Sequence, residues 1–215
     1  MPVEDFLTDL FKSYEELALV ADEAFKKIQS EFKDQVKCQR YCTDCCYAIF
    51  GLFPIEAAYL KCHFEKLALD VRREALRRSR EAEEEMRRIQ EKLSLFEDGT
   101  ELKSYAVARE RVRCPLLSEA GDCILYPRRP LTCRLYGIPV AIHGRGQVCW
   151  KAGFAKGKKY PTFNLDLLHR KLYRLSVILL KRVGVEDLEI AALLFSVPKV
   201  LQTSFNDLVR TKHLG

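Results

Sequence analysis

Nowhere does the chain carry an apolar run long enough to cross a bilayer. Its best stretch, Ile190 to Leu201, is broken by Pro198 and Lys199. The first residues, MPVEDFLTDLF, are acidic and have neither the basic start nor the small-residue cleavage site of a secretory signal. Those two absences predict a cytoplasmic protein without a membrane partner. Phosphate-loop GxxxxGK[ST], metalloprotease HExxH and nucleophile-elbow GxSxG motifs are also missing, which removes the familiar routes to NTPase, zinc protease and serine hydrolase chemistry. No internal repeat, low-complexity tract or clear linker divides the sequence, so residues 1–215 read as one domain.

What the chain does have is cysteine: nine in 215 residues. An apolar fraction of 48% with 31% charged residues is enough to build a hydrophobic core without help. In a reducing compartment, a cysteine density beyond that need points to metal or redox chemistry rather than disulfides, and the odd count argues the same way. The first group is Cys38-x3-Cys42-x2-Cys45-Cys46. Positions 38, 42 and 45 would share one face of a helical turn, and the gaps suit a structural zinc site or an iron–sulfur cluster equally. Cys45 and Cys46, being adjacent, are ill-placed to bind one ion, which predicts two sites or one free thiol. The second group is Cys114, Cys123, Cys133 and Cys149, widely spaced in a stretch, 114–161, rich in proline and glycine. Such a stretch needs something to order it. A structural zinc contributes on the order of 10 kcal/mol or more to folding. Cys62 stands apart and reads as a core residue; His143 reads as an ordinary loop histidine.

Around these groups the periodicity is helical. Phe6, Leu10, Tyr14, Leu17, Ala21, Phe25, Ile28 and Phe32 fall at steps of three and four. A second pattern follows Pro54 and runs to Phe96, interrupted by Arg78, with Gly99 as the expected stop. The two share an eleven-residue rhythm and are expected to pack antiparallel. The C-terminal part, 160–215, predicts a helix from Asn164 to Val183, a second over Glu186 to Phe195 and a third after Ser204. Short strands such as Gly137–Ile142 are allowed in the irregular segment. The fold class is therefore mainly α: long antiparallel helices with an irregular, metal-stapled cysteine segment and at most short strands. The cysteine region spans 36–150, with 54–98 as a helical insertion.

Charge is unevenly spread. Residues 1–35 carry nine acids against four lysines, while 128–159 carry eight Lys/Arg and no Asp or Glu. Between Asp70 and Lys92, eight Lys/Arg face seven Asp/Glu, the signature of a solvated, ion-paired helix. The basic run coincides with cysteines and has two readings: compensation of an anionic thiolate centre by Arg129 and Arg134, or a patch for nucleic acid.

The Cx3Cx2C spacing also matches the cluster loop of radical SAM enzymes. Asp44 stands where those enzymes usually place an aromatic or apolar residue, and the surroundings are helical rather than a β/α barrel. A different resemblance covers more of the chain. Cys38, Cys42, Cys45, Cys46, then Cys114-Pro115-Leu116-Leu117, Asp122-Cys123-Ile124-Leu125-Tyr126, Arg129-Pro130-x2-Cys133-Arg134-x-Tyr136 and finally Cys149 resemble the zinc- or iron-chelating domain family known by its CxxCxxCC cluster. The opening gap has three residues here rather than two, and Thr43 replaces a frequent glycine. The resemblance implies that the eight cysteines Cys38, Cys42, Cys45, Cys46, Cys114, Cys123, Cys133 and Cys149 are metal ligands. Iron–sulfur is slightly preferred over zinc, since adjacent Cys45-Cys46 and the compact first loop suit a cluster. The family includes flagellin lysine N-methylase, which implies, as an alternative, a metal-dependent enzyme that modifies protein or a redox enzyme. A nucleic-acid- or partner-binding module on 128–159 is the further alternative.

Overall fold

The computed structural model describes residues 3–94 and 109–210. The chain opens with α1 (Val3–Glu31). Its inward stripe joins Leu10, Tyr14, Ala21 and Ile28 with Leu7, Phe11 and Ala18. This is wider than the sequence pattern, because neighbours cover α1 on more than one side. Phe6, expected inside, is 43% exposed and lies under the Arg182 guanidinium instead.

The second long pattern is two helices, α2 (Pro54–Glu65) and α3 (Leu69–Leu93), parted at residues 66–68. Pro54 occupies the first turn, as expected, and the Glu56 carboxylate reaches back to the Phe53 amide at 3.4 Å. Gly99 and Phe96 fall outside the described residues. Nine of the twelve residues of α2 are buried. The reason is positional: Ile55, Ala58 and Tyr59 face one hydrophobic core, and Ala57, Leu60 and Phe64 face another. α2 is the wall between the two.

The expected pairing of α1 with the whole second pattern is not what forms. α3 packs instead on α6 (Val197–Gln202), and Gln202 donates to Glu83 at 2.6 Å. The long antiparallel partner of α1 is α5 (Leu165–Arg182). At one end of that pair Phe32 meets Tyr160, just ahead of α5, with ring centres 5.6 Å apart. At the other, Arg182 donates to the Phe6 carbonyl and pairs with Asp9. The physical reason is the width of the apolar stripe. α3 buries only Ala75, Arg78, Ser79, Ala82 and Leu93, whereas α5 offers Leu168, Leu172, Leu179 and Leu180. The exposed face of α3 is laced by Arg77 with Glu74 and Glu81, and by Arg87 with Glu84 and Glu91.

Between α3 and α5 lie α4 (Leu131–Leu135) and a three-stranded sheet of order β2-β1-β3, with β1 Val140–Ile142, β2 Arg145–Gln147 and β3 Phe163–Asn164. β1 and β2 form a hairpin, and β3 joins parallel. His143 (φ 49) and Gly144 (φ 72) make the two-residue turn. Asn164 caps α5, accepting from the Leu167 amide at 2.9 Å, and Gly184 (φ 73) lets the chain leave it. The expected helix over Glu186 to Phe195 is a shorter 3-10 turn, Leu188–Ala192. α6 follows under a Ser196 cap that the periodicity did not reveal, and α7 (Phe205–Arg210) follows Ser204 as expected. The protein is thus mainly α with short strands.

Candidate metal centre

The two cysteine loops are joined through their backbones. Cys45 and Cys46 sit on a 3-10 turn, Asp44–Tyr47. The Cys46 carbonyl accepts the Cys114 amide at 2.7 Å, and the Tyr47 carbonyl accepts the Val112 amide at 3.1 Å. Arg40 reaches Asp122 at 3.4 Å, tying the first loop to the turn before Cys123. That turn is tight: Ile124 donates to the Leu116 carbonyl at 2.9 Å and Ser118 to Asp122 at 2.9 Å. Buried Arg78, the residue that interrupted the helical pattern, donates from Nε to the Pro115 carbonyl at 2.9 Å. Its role is to clamp the second loop onto α3.

Cys133 arrives on α4. Arg134, beside it, is buried and donates to the carbonyls of Arg129 (3.1 Å) and Pro127 (2.8 Å) while pairing with Asp22 of α1. Arg129 pairs with the same Asp22 at 3.5 Å and stacks over the Tyr126 ring at 4.3 Å. Arg128 pairs with Glu15 and donates to Tyr59 at 2.7 Å. The Leu131 amide, opening α4, donates to Glu56 at 3.1 Å. The acidic excess of α1 and the basic run of the cysteine segment therefore meet each other.

Cys38, Cys42, Cys45, Cys46, Cys123 and Cys133 line one cavity of about 260 Å3. Cys149 stands on its other flank, in a smaller recess shared with Cys38, Cys42 and Cys45. Cys114 lies behind Cys46 and Cys123, close enough that its charge is felt at both Cys46 and Cys133. Cys38, Cys42 and Cys45 thus border both spaces, Cys46, Cys123 and Cys133 only the larger, and Cys149 only the smaller of the two. As they stand, no three His, Cys, Asp or Glu side chains among the described residues close on a single point as a ready coordination shell. The thiols surround a space rather than a point. Cys62 packs against the first core and lines neither of these spaces, and His143 sits in its exposed turn beside Asp166.

The electrostatics are those of thiols gathered out of water. Burial pushes Cys38 up to about 12, with the neighbouring thiols adding to it, and burial raises Cys114 to about 12 and Cys123 to about 11. Cys45 is the exception. It accepts hydrogen bonds from Cys133 and from Cys46, which bring it down to about 3 and raise both donors. One thiolate is stabilised by its neighbours, while burial favours the thiol form of Cys38, Cys114, Cys123 and Cys149.

Three sulfurs already receive the backbone amide two residues ahead: Leu116 to Cys114, Leu125 to Cys123 and Lys151 to Cys149. Amide donation to sulfur stabilises thiolate and is how proteins tune metal-bound cysteine.

Residues 37–149 match the CxxCxxCC family model, described as "Putative zinc- or iron-chelating domain". The chain belongs to this family. No curated protein and no solved structure matches it. The metal-binding character of the cysteine cluster follows from that membership, and zinc and iron are both within the description. Among the described residues, no helix is long and apolar enough to cross a membrane.

Three participants escaped the sequence reading. Asp44 is 3% exposed, and its carboxylate is met by Arg111 at 2.8 Å, Lys151 at 3.4 Å and the Cys149 thiol at 3.3 Å. Burial opposes its ionisation, but those three partners prevail and hold it below the usual carboxylate range. An acid inside a cysteine cluster was its only signal. Arg111 left none. Gly137 is required by contact: a Cβ there would meet the Cys38 Cβ at 2.3 Å.

Proposed function

We propose that this protein is a metal-binding cysteine-cluster protein. All eight family cysteines serve as ligands: Cys38, Cys42, Cys45 and Cys149 on one side, Cys46, Cys114, Cys123 and Cys133 on the other. The observation that carries the reading is that six of these thiols, Cys38, Cys42, Cys45, Cys46, Cys123 and Cys133, come from both ends of a long helical excursion to line one part-buried space edged by Arg129 and Arg134, while Cys149 shares a recess with Cys38, Cys42 and Cys45. The donor set is all sulfur, which suits iron–sulfur and zinc and disfavours hard cations. Iron–sulfur is preferred. A single ion needs less room than the roughly 30 Å3 of one water, whereas the thiols border a cavity of about 260 Å3. When bound, such a group would supply cross-linking of the irregular segment and, as iron–sulfur, a store for one electron. The residues of the chain do the rest: amides brace the sulfurs, Asp22 holds the arginines, and Pro127 and Pro130 shape the approach to Cys133.

Anaerobic purification of the full chain, followed by metal analysis, acid-labile sulfide assay and a visible spectrum, tests this. Iron with matching sulfide and broad visible absorption is the expected result. Colourless, zinc-loaded protein moves the assignment to zinc, and protein with neither metal overturns the reading.

One observation favours an enzyme as the second reading. A catalytic centre needs a pocket beside the metal ligands, and a cavity of about 380 Å3 is lined by Cys149 and by none of the other seven family cysteines. The nucleic-acid reading is weakened, since Arg128, Arg129 and Arg134 of the basic run are engaged with α1.

A further inference from the structure

The cavity beyond Cys149 has a composition of its own. Its apolar lining includes Phe50, Leu135, Ile138 and Leu165, which come from three separate places in the chain. The polar groups on its wall include Arg111, Thr132 and Tyr136, and none of its lining residues is Asp or Glu. At about 380 Å3 it falls in the range of small-molecule sites. Trp150 lines it too, yet is 74% exposed, an unusual setting for so large an apolar ring.

Arg111 is the decisive residue. Its Nη2 donates to the Asp44 carbonyl at 2.7 Å and to Oδ1 at 2.8 Å, and its Nη1 lies 3.4 Å from the Tyr136 hydroxyl. Buried Asp44 thus fixes the guanidinium plane, while three bonds leave part of a five-donor group for another acceptor. Asp44 is itself shared with Lys151, so this corner holds two cations against one carboxylate. A cation held in place by Asp44 with donors to spare, two hydroxyls and an apolar floor, with no acid in the lining itself, match a molecule with an anionic end and an apolar body.

We propose that this cavity binds a small organic monocarboxylate, its carboxylate received by Arg111 with the Thr132 and Tyr136 hydroxyls, its apolar body lying over Leu135 and Ile138 under Trp150. The proposal rests on this cavity alone and holds whether the thiols carry iron–sulfur or zinc.

The chain has one tryptophan, so its emission reports on the rim of the site directly. Metal-loaded, full-length protein is titrated with phenylpropanoate, phenylpropanol and phenylpropylamine, three probes with one body and different ends. The expected result is a saturable change in Trp150 emission, with the carboxylate at least about tenfold tighter than the amine and the alcohol between them. Thr132→Val should weaken phenylpropanoate several-fold. Val140→Phe, which fills the cavity from β1, should abolish the response, with metal content measured in both variants to show the cluster intact. Equal affinity for all three ends, no saturable change with any of them, or a response that survives Val140→Phe in metal-loaded protein overturns the proposal.

Discussion

Two parts of this molecule are rich in arginine and use it in opposite ways. On α3, Arg77, Arg87 and Arg88 pair with glutamates three or four residues away on the same helix, in open solvent. In the segment that opens with Arg128, the arginines pair across more than a hundred residues, with Glu15 and Asp22 of α1, and Arg134 does so while buried. The local pairs would exist in an isolated helix and say nothing about the fold. The distant ones exist only if the segment docks on α1. Apart from buried Arg78, which clamps the second cysteine loop, charge on α3 keeps a helix in water; charge in the cysteine segment fixes where Cys133 lies. The acid partners of that segment also include Glu56, whose carboxylate takes the first amide of α4.

This contrast is broken most severely through sulfur. If metal orders the cysteine segment, Cys133→Ser should cost a large share of the order of 10 kcal/mol that a structural thiolate site contributes. The variant should then express poorly or purify without metal. Cys62→Ser, outside the cluster and part-buried against the first core, should keep its metal and fold. Metal content and thermal unfolding of the two variants side by side check this, and equal behaviour would defeat the eight-ligand assignment.

Next in size is the docking itself. Asp22→Ala removes the carboxylate shared by Arg129 and Arg134 and leaves a buried guanidinium with only carbonyl partners. Breaking a buried pair from one side costs about 3 kcal/mol or more. Denaturant unfolding should show that loss, and metal should dissociate faster on challenge with a chelator, because the loop carrying Cys133 is no longer held to α1.

Glu56 gives a loss tied to pH. Burial raises its pKa to about 7, against donation from the Leu131 and Phe53 amides and the Tyr14 hydroxyl. Its folded-state pKa lies above the unfolded value near 4.5, so the folded state binds the extra proton. Stability from this group is full below about 4.5, falls as pH rises toward about 7 and is constant above. The whole span is on the order of 3 kcal/mol. Metal-bound thiolates have the opposite sign, since binding releases protons. The measurement is therefore the difference between the wild type and Glu56→Gln at each pH, which cancels the thiol part. A difference that does not vary between pH 5 and 8 would remove Glu56 from the docking account.

How far the sequence reaches can be judged from the same residues. The family was legible because thiols are rare, and their spacing carries chemistry without any fold. The mainly helical class was legible because apolar steps of three and four recur over long stretches. The partner of α1 was not legible. Periodicity says that a helix has an apolar face but not whose face it meets, and α3 lost the place to α5 through small residues at its buried positions. Asp22 and Asp44 were hidden for a related reason. Each is one acid among many in sequence, and only the distant arginines that reach it give it a role. The charge excess at the two ends of the problem, acids in 1–35 and bases in 128–159, was visible as composition. Their meeting was not.

The smallest expected effect completes the contrast. Arg87 donates to Glu84 and Glu91, and every member of the group is well exposed. Water and salt screen such pairs, and holding long side chains in one arrangement offsets much of the attraction. Arg87→Ala should leave both the melting temperature and the metal content within the scatter of repeat measurements, at low and high salt alike. A loss comparable to that of Asp22→Ala would mean that the ion pairs of α3 bear on the fold after all. The division between solubilising and docking charge would then have to be abandoned, because the same residue type at the same density would be acting alike in both places.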